Sequence, residues 1–171
     1  MSNDGREIER KYLIAMPDRA ALASQRGCVI WRVTQTYLAA PEGETRRVRR
    51  IVTDDGEHFT RTFKRRIDFM SCMEDEAEIS REEYEALIAE ADPERRPIIK
   101  VRYRIPYMGQ LLEVDIYPFW TDRAVLEIEL PDEQARTDIP AWIRVLREVT
   151  GERAYSNAEL AREAAGGRVR S

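Results

Sequence analysis

The sequence predicts an α+β protein built around an eight-stranded, closed antiparallel β-barrel, a tunnel with a polar, charged lumen and flanking helices. Eight segments are rich in β-branched and aromatic residues or alternate polar and apolar residues with period two, as half-buried strands do. Seven of the eight carry a line of charged residues on one face, and several are apolar on the other. A closed barrel gives such charged faces a shared interior and leaves no exposed strand edge.

Turn and cap signals set the limits of the predicted elements. Asp54-Asp55-Gly56 is typical of a hairpin, and Ser80 followed by Glu83 forms a capping box that starts a helix midway along the sheet. The predicted strands cover residues 7–14, 28–39, 45–53, 57–66, 71–79, 98–105, 111–117 and 124–130. The predicted helices cover residues 19–25, 81–91, 141–149 and 158–165.

The length of 171 residues suits one domain, which we place at residues 1–165, followed by a flexible basic tail at 166–171. Charged residues make up 35% of the chain, but the net charge is only −4, so specificity depends on where the charges lie. This balance argues against general binding to nucleic acids or to anionic membranes.

Further observations bear on the compartment and on the chemistry. No segment is long and apolar enough for a signal-peptide core or a membrane span, so we expect a cytoplasmic protein. Cys28 and Cys72 lack the C-x-x-C spacing of metal sites and are expected to be free thiols. A single histidine, His58, argues against a histidine-based zinc site or a serine–histidine triad. The oligomeric state stays open, with a homodimer as one alternative.

The charged lines are sorted by sign. The first strand carries Glu7, Glu9 and Lys11 on one face. The basic lines are Arg47 and Arg49; Lys64 and Arg66; and Lys100, Arg102 and Arg104. The acidic lines are Glu74, Glu76 and Glu78; Glu113 and Asp115; and Glu127 and Glu129. A solvated sheet face is the usual meaning of such alternation, but solvated faces interleave the two signs because like charges at i and i+2 repel.

Sorting by sign indicates a site that holds a polyanion together with divalent cations. Magnesium and manganese prefer carboxylate and water oxygens and are often shared between carboxylates and substrate phosphates. Arginine offers bidentate hydrogen bonds to phosphate oxygens, and lysine offers a compact charge. A triphosphate carries about four negative charges near neutral pH, which suits several basic side chains plus one or two metal ions.

The opening Glu7-Ile8-Glu9-Arg10-Lys11 resembles the E-x-E-x-K signature of the CYTH domain, also called the triphosphate tunnel metalloenzyme superfamily. An ordered series of further motifs makes the resemblance specific. They are Gln35-Thr36-Tyr37-Leu38, Arg47-Val48-Arg49, the strand end at Lys64, Glu76-Ala77-Glu78-Ile79, Lys100-Val101-Arg102-Tyr103, Glu113-Val114-Asp115, Glu127-Ile128-Glu129-Leu130, Val149-Thr150-Gly151 and Tyr155-Ser156-Asn157. The resemblance covers about residues 7–161 and implies a tunnel that binds triphosphate-containing small molecules with a divalent metal.

On this basis we expect a metal-dependent triphosphatase that acts on inorganic triphosphate or a related short polyphosphate, with Mg²⁺ or Mn²⁺ as cofactor. The residues expected to bind phosphate are Lys11, Arg47, Arg49, Lys64, Arg66, Lys100 and Arg102. The residues expected to bind metal are Glu7, Glu9, Glu76, Glu78, Glu113, Asp115, Glu127 and Glu129. Catalytic roles are expected for Glu7, Glu9, Lys11 and Lys64.

The same lining is compatible with three alternatives. One is an adenylyl cyclase of the same family, which would need a site for adenine. Aromatic residues that could stack on a base are Trp31, Tyr117, Phe119 and Trp120. Such residues more often pack in a core. The other two alternatives are a thiamine triphosphatase and a polyphosphate-binding module without turnover.

Overall fold

One antiparallel sheet forms the body of the protein in the computed structural model, which describes residues 5–167. Its strands are β1 (Arg6–Ala15), β2 (Val29–Leu38), β3 (Glu44–Thr53), β4 (Gly56–Arg66), β5 (Ser71–Glu78), β6 (Ile98–Tyr107), β7 (Gln110–Ile116), β8 (Arg123–Glu129) and β9 (Val145–Glu148). They lie in the order β5-β4-β3-β2-β6-β7-β8-β1-β9, and β5 also pairs with β1. That last pairing closes the predicted eight-stranded barrel.

Strand β1 closes the barrel over only part of its length. On one edge it pairs with β8 from Glu9 to Ala15. On the other edge, residues 6–8 pair with β5, whereas residues 12–14 pair with β9. The short strand β9 therefore provides backbone hydrogen-bond partners for the part of β1 that β5 does not reach.

Three α-helices flank the sheet in the described part of the chain: α1 (Arg19–Ala23), α2 (Arg81–Ile88) and α3 (Asn157–Ala165). Side chains of Asp18, Ser80 and Ser156 cap their N-termini. Between residues 5 and 167, no helix has the length and apolarity that a membrane crossing requires. The predicted tail at 166–171 lies outside the described residues from position 168 onward.

The predicted helix at 141–149 is wrong, because Val145–Glu148 forms β9. The open edge of β1 supplies its backbone partners. Ala15 N donates to Arg144 O at 2.9 Å, and Val149 N donates to Lys11 O at 2.8 Å. Backbone groups of β1 left unpaired and buried would be costly, so this segment pairs with β1 and does not form the predicted helix.

Apolar side chains fill one end of the barrel interior and leave the rest open. Leu13 lies two residues beyond Lys11 on the inward face of β1, and Val125 lies two residues before Glu127 on the inward face of β8. They pack in one cluster with Leu160 of α3. A larger cluster covers the outer face of β1 and β6–β8, and a third lies beneath α2. Clusters of buried apolar side chains therefore surround the charged lumen on several sides.

Candidate active site

The lumen holds a cavity of about 940 Å³. Alternation along the strands turns the charged line of each strand into it. The charged residues of the sheet that line it are Glu7, Glu9, Lys11, Glu44, Arg47, Arg49, Lys64, Arg66, Glu74, Glu76, Arg102, Arg104, Glu113, Glu127 and Glu129. The wall thus carries both signs in separate sectors, as the sorting in the sequence predicts.

The acidic sector lies where β1 meets β8. Glu9 and Glu129 are direct register partners, and Lys11 stands opposite Glu127. Lys11 Nζ lies 3.2 Å from Glu127 Oε1 and 3.9 Å from Glu9 Oε1. Two carboxylates placed directly opposite each other on adjacent strands repel, so this arrangement favours a cation between the strands.

The pKa values of two carboxyl groups in this sector, Glu9 and Glu127, shift in opposite directions. Burial and the neighbouring Glu127 raise the pKa of Glu9 to about 7. Burial works against the charge of Glu127 as well, but Lys11 and Arg102 outweigh it and hold the pKa of Glu127 well below its usual range. An additional cation beside Glu9 would therefore favour its ionised form near neutral pH.

Lys64 bridges two carboxylates on the neighbouring part of the wall. Its Nζ lies 2.6 Å from Glu7 Oε2 and 3.2 Å from Glu74 Oε2. Burial and Arg47 oppose its charge, but the surrounding glutamates prevail and raise the pKa of Lys64. Cys72 Sγ lies 3.5 Å from the same Glu7 oxygen, and burial raises the pKa of this thiol to about 12.

The basic sector is centred on Arg47 and Arg49 of β3. Arg47 is 7% exposed, and its Nε has no hydrogen-bond partner. Arg49 Nε donates to Gln35 Oε1 at 2.8 Å. Burial together with the nearby Arg47 and Arg102 lowers the pKa of Arg49 to about 10. Neither guanidinium lies within ion-pair distance of a carboxylate of residues 5–167, so two buried positive charges face the cavity with only more distant glutamates to balance them.

A saturated ion-pair network lies beneath the cavity surface on β6 and β7. Asp115 Oδ2 accepts from Lys100 Nζ at 2.8 Å, and both Asp115 oxygens accept from Arg102, at 2.7 and 2.8 Å. Arg102 Nη1 and Nη2 reach Glu113 and Glu127, each at 3.1 Å. Burial alone would raise the pKa of Asp115, but Arg102 and Lys100 hold it below its usual range.

Three of the predicted site residues lie away from the cavity wall. Lys100 and Asp115 have fully buried side chains and pair with each other. Glu78 lies at the end of β5, where its side chain is 78% exposed and 3.9 Å from His58 Nδ1. This placement does not support the predicted direct roles of Lys100 in phosphate binding or of Asp115 and Glu78 in metal binding, and these roles stay predictions. The remaining predicted residues all line the cavity.

The structure adds residues that the predicted set omits. Glu74 and Arg104 continue charged lines visible in the sequence, and both line the cavity. Cys72 occupies the same face as Glu74 and also lines it. Alternation along β5 could have identified Cys72, but a lone cysteine carries no signal in a sequence.

The aromatic candidates for base stacking are mostly part of the core. Tyr117, Phe119 and Trp120 pack on one another, with ring centroids 5.0 to 5.5 Å apart, beside Leu160 of α3. The interpretation that these three could stack on a base is wrong. Trp31 does line the cavity, where the guanidinium carbon of Arg104 lies 4.0 Å from the centroid of its ring.

Comparison with known proteins decides the family. The chain is 34% identical over 165 residues to an inorganic triphosphatase of Acetivibrio thermocellus, and the match covers 91% of this chain and 93% of that protein. The chain belongs to the CYTH, or triphosphate tunnel metalloenzyme, family. A comparison with models of known protein families found no match.

Solved structures agree with this membership of the CYTH family. The crystal structure of the inorganic triphosphatase NE1496 is 28% identical, covers 91% of this chain and 94% of its own, and superimposes with a TM-score of 0.57. The PH1819 protein of Pyrococcus horikoshii OT3 is 18% identical, with a TM-score of 0.57 over 75% of this chain and 80% of its own. The second likeness shows the fold alone.

Proposed function

We propose that this protein hydrolyses inorganic triphosphate, or a related short polyphosphate, inside the barrel and with a divalent cation. One observation carries the proposal. Paired carboxylates on β1 and β8, with Glu9 directly opposite Glu129, face the same cavity as Arg47 and Arg49, which have no carboxylate of the described residues within ion-pair distance. A polyanion bound together with a metal satisfies both sectors at once. The curated relative named inorganic triphosphatase supports the choice of substrate.

The basic residues of the wall bind and orient the phosphate chain. Arg47 and Arg49 are buried and have no carboxylate of the described residues within ion-pair distance, so they gain most from an anion. Lys11, Lys64, Arg66 and Arg102 reach the same cavity. Lys100 acts through Asp115, which fixes the guanidinium plane of Arg102 with two hydrogen bonds. We therefore assign Lys100 and Asp115 positioning roles.

The donor set fits a hard divalent cation such as Mg²⁺ or Mn²⁺. Glu7, Glu9, Glu127 and Glu129 supply the carboxylate oxygens that these ions prefer. The raised pKa of Glu9 agrees with this, because a bound cation would offset both the burial and the repulsion from Glu127 that cause it. Glu76 and Glu113 line the cavity further on and are candidates for a second ion. When bound, such ions would neutralise charge on the transferred phosphoryl group.

The chain's own residues then position the reactants. The basic sector holds the polyphosphate against the acidic sector, so the phosphorus atom faces a carboxylate wall able to orient a water molecule for in-line attack. Lys11 lies between Glu9 and Glu127, and Lys64 lies between Glu7 and Glu74. As substrate enters, each ammonium group can exchange its carboxylate partners for a phosphate oxygen. Attack by water breaks the phosphoanhydride bond and yields orthophosphate and pyrophosphate from triphosphate.

Product analysis tests this proposal against its alternatives. Purified protein is incubated with tripolyphosphate, ATP and thiamine triphosphate, each with Mg²⁺, with Mn²⁺ and with chelator. We expect metal-dependent orthophosphate, released fastest from tripolyphosphate. Cyclic AMP and pyrophosphate from ATP would instead identify a cyclase. Fastest release from thiamine triphosphate would identify a thiamine triphosphatase, and no turnover of any compound would identify a binding module.

The setting of the protein is also a proposal. We propose a reducing, cytoplasmic environment, which the two free cysteines, Cys28 and Cys72, support. The homodimer remains a hypothesis that size measurement in solution would test.

A further inference from the structure

Cys72 brings a soft ligand into a lumen whose other ligands are hard. Its Sγ lies 3.5 Å from Glu7 Oε2, and Glu74 completes a group of three whose potential ligand atoms all lie within 4.8 Å of one another. Among the described residues, this is the group that combines cysteine with carboxylates at metal-binding spacing. The proposed magnesium set includes Glu7 but neither Cys72 nor Glu74.

The spacing suits a tetrahedral ion. Zinc–sulfur and zinc–oxygen bonds of about 2.3 and 2.0–2.2 Å at a tetrahedral angle place the two ligand atoms about 3.5 Å apart. The Cys72 thiol donates a hydrogen bond to Glu7 Oε2 over this same distance, so a metal ion could replace the thiol proton without a change in the spacing. Magnesium, by contrast, requires octahedral oxygen ligands, so a thiol in this corner does not serve it.

The environment of Glu74 is the second indication. Its side chain is only 6% exposed, and its Oε2 accepts no hydrogen bond even though Lys64 Nζ lies 3.2 Å away. This oxygen has an ion-pair partner in Lys64 but no hydrogen bond, so it can gain from a ligand that makes a direct bond. The Lys64 ammonium, 2.6 Å from Glu7 Oε2, occupies the space between the two carboxylates. The corner is therefore already built to hold one positive charge.

We infer that Glu7, Cys72 and Glu74 form a site for a thiophilic divalent cation of the zinc or cadmium type, which displaces the Lys64 ammonium. The thiol proton passes to water as the metal–sulfur bond forms, and the fourth position stays open to water or a phosphate oxygen. When this ion is bound, Glu7 can no longer bind magnesium, and Lys64 can no longer bind the phosphate chain in its usual place. The bound ion therefore inhibits the proposed hydrolysis, and this consequence alone rests on the proposed function.

Cadmium titration of the metal-free protein tests the site without any substrate. A cadmium–thiolate bond produces an ultraviolet charge-transfer absorption that carboxylate ligands do not produce. We expect this band in the wild type and in Cys28→Ser, which removes the other thiol, and we expect none in Cys72→Ser. Glu74→Gln keeps the thiol but loses a ligand, so half-saturation should need about tenfold more cadmium or higher.

An equal band in Cys72→Ser, or no band in the folded wild type, would overturn the inference. Zinc inhibition of hydrolysis at a fixed excess of Mg²⁺ gives the second readout. The half-inhibitory zinc concentration should rise about tenfold or more in Cys72→Ser and stay unchanged in Cys28→Ser. Equal inhibition of both variants would refute the inhibitory role. Loss of the hydrolase assignment alone would leave the cadmium result intact.

Discussion

Lys100 Nζ lies 2.8 Å from Asp115 Oδ2, and both side chains are completely excluded from solvent. The same carboxylate accepts two hydrogen bonds from Arg102, whose other nitrogen reaches Glu113 at the cavity surface. The buried Lys100–Asp115 pair, the floor of the cavity, thus orients the Arg102 guanidinium in the cavity wall. Its contribution is to geometry, since every oxygen of Asp115 is already used.

Asp115→Asn should destabilise the protein strongly. Removal of this carboxylate leaves Lys100 buried without its counter-ion and takes two charged hydrogen bonds from Arg102, which costs about 3–5 kcal/mol of unfolding free energy. Denaturant unfolding followed by circular dichroism measures the loss. Asp122→Asn is the control, because it disrupts an ion pair with Arg123 in which the carboxylate is 66% exposed. Equal stability of the two variants would show that the floor is not a structural element.

Glu9→Gln should stabilise the metal-free protein at alkaline pH. Because the pKa of Glu9 is raised to about 7 in the folded state, the folded protein binds more protons than the unfolded chain between pH 4.5 and 7. Wild-type stability therefore falls as pH rises through that window, by roughly 2–3 kcal/mol. The glutamine variant lacks this loss, so its melting temperature should exceed that of the wild type at pH 8 and match it near pH 4.5.

Glu85→Gln, on the exposed face of α2, is the control for charge removal and should follow the wild-type pH profile. Added Mg²⁺ should stabilise the wild type more at pH 8 than at pH 5, because protons compete with the metal for Glu9. A wild-type melting temperature that rises between pH 5 and pH 8, matching that of Glu9→Gln, would contradict the predicted sign.

Lys11→Ala should weaken substrate use more than it weakens the fold. Loss of one charged hydrogen bond to phosphate costs about 1.5–3 kcal/mol, or about 10- to 150-fold in kcat/KM. Steady-state kinetics with tripolyphosphate measure the effect. Arg10→Ala is the matched control, because Arg10 is the neighbouring cation on β1 and pairs with Glu148 outside the lumen. Unchanged kinetics in Lys11→Ala would remove this residue from the site.

Gly151→Ala should disturb the mouth of the cavity. Gly151 has φ +72°, and a Cβ there would come within 2.6 Å of the Phe69 carbonyl oxygen. Gly109 has nearly the same φ, +73°, but faces open space. Gly109→Ala therefore measures the backbone cost alone, about 1 kcal/mol, and Gly151→Ala should cost about 1–3 kcal/mol more. Equal melting temperatures would show that the loop at Phe69 moves aside freely.

The sequence predicted the barrel because its strands repeat one signal, a charged inward line opposite an apolar outward line. The prediction failed at β9, where Asp138 and Pro140 indicate the start of a helix and Gly151 its end. The deciding partner there is the edge of β1, more than 130 residues earlier in the chain. Local periodicity cannot report an edge left open by another strand.

Alternation also predicts which face a side chain occupies but not how deep it lies. Glu76 and Glu78 share a face, yet Glu76 lines the cavity and Glu78 lies near His58 at the end of the strand. Lys100 and Arg102 likewise share a face, but only Arg102 reaches the cavity. Depth depends on the closure of the barrel and on the packing of α3, which no single segment encodes.

Orthophosphate release from tripolyphosphate, measured against Mg²⁺ concentration for the wild type and Glu129→Gln, tests the central claim most directly. Glu129 is the register partner of Glu9 in the acidic sector. We expect wild-type activity that requires Mg²⁺ and disappears in excess chelator. The folded Glu129→Gln variant should be slower by about 100-fold or more. Equal release by both proteins, or wild-type release that persists in chelator, would contradict a carboxylate-held metal in the tunnel.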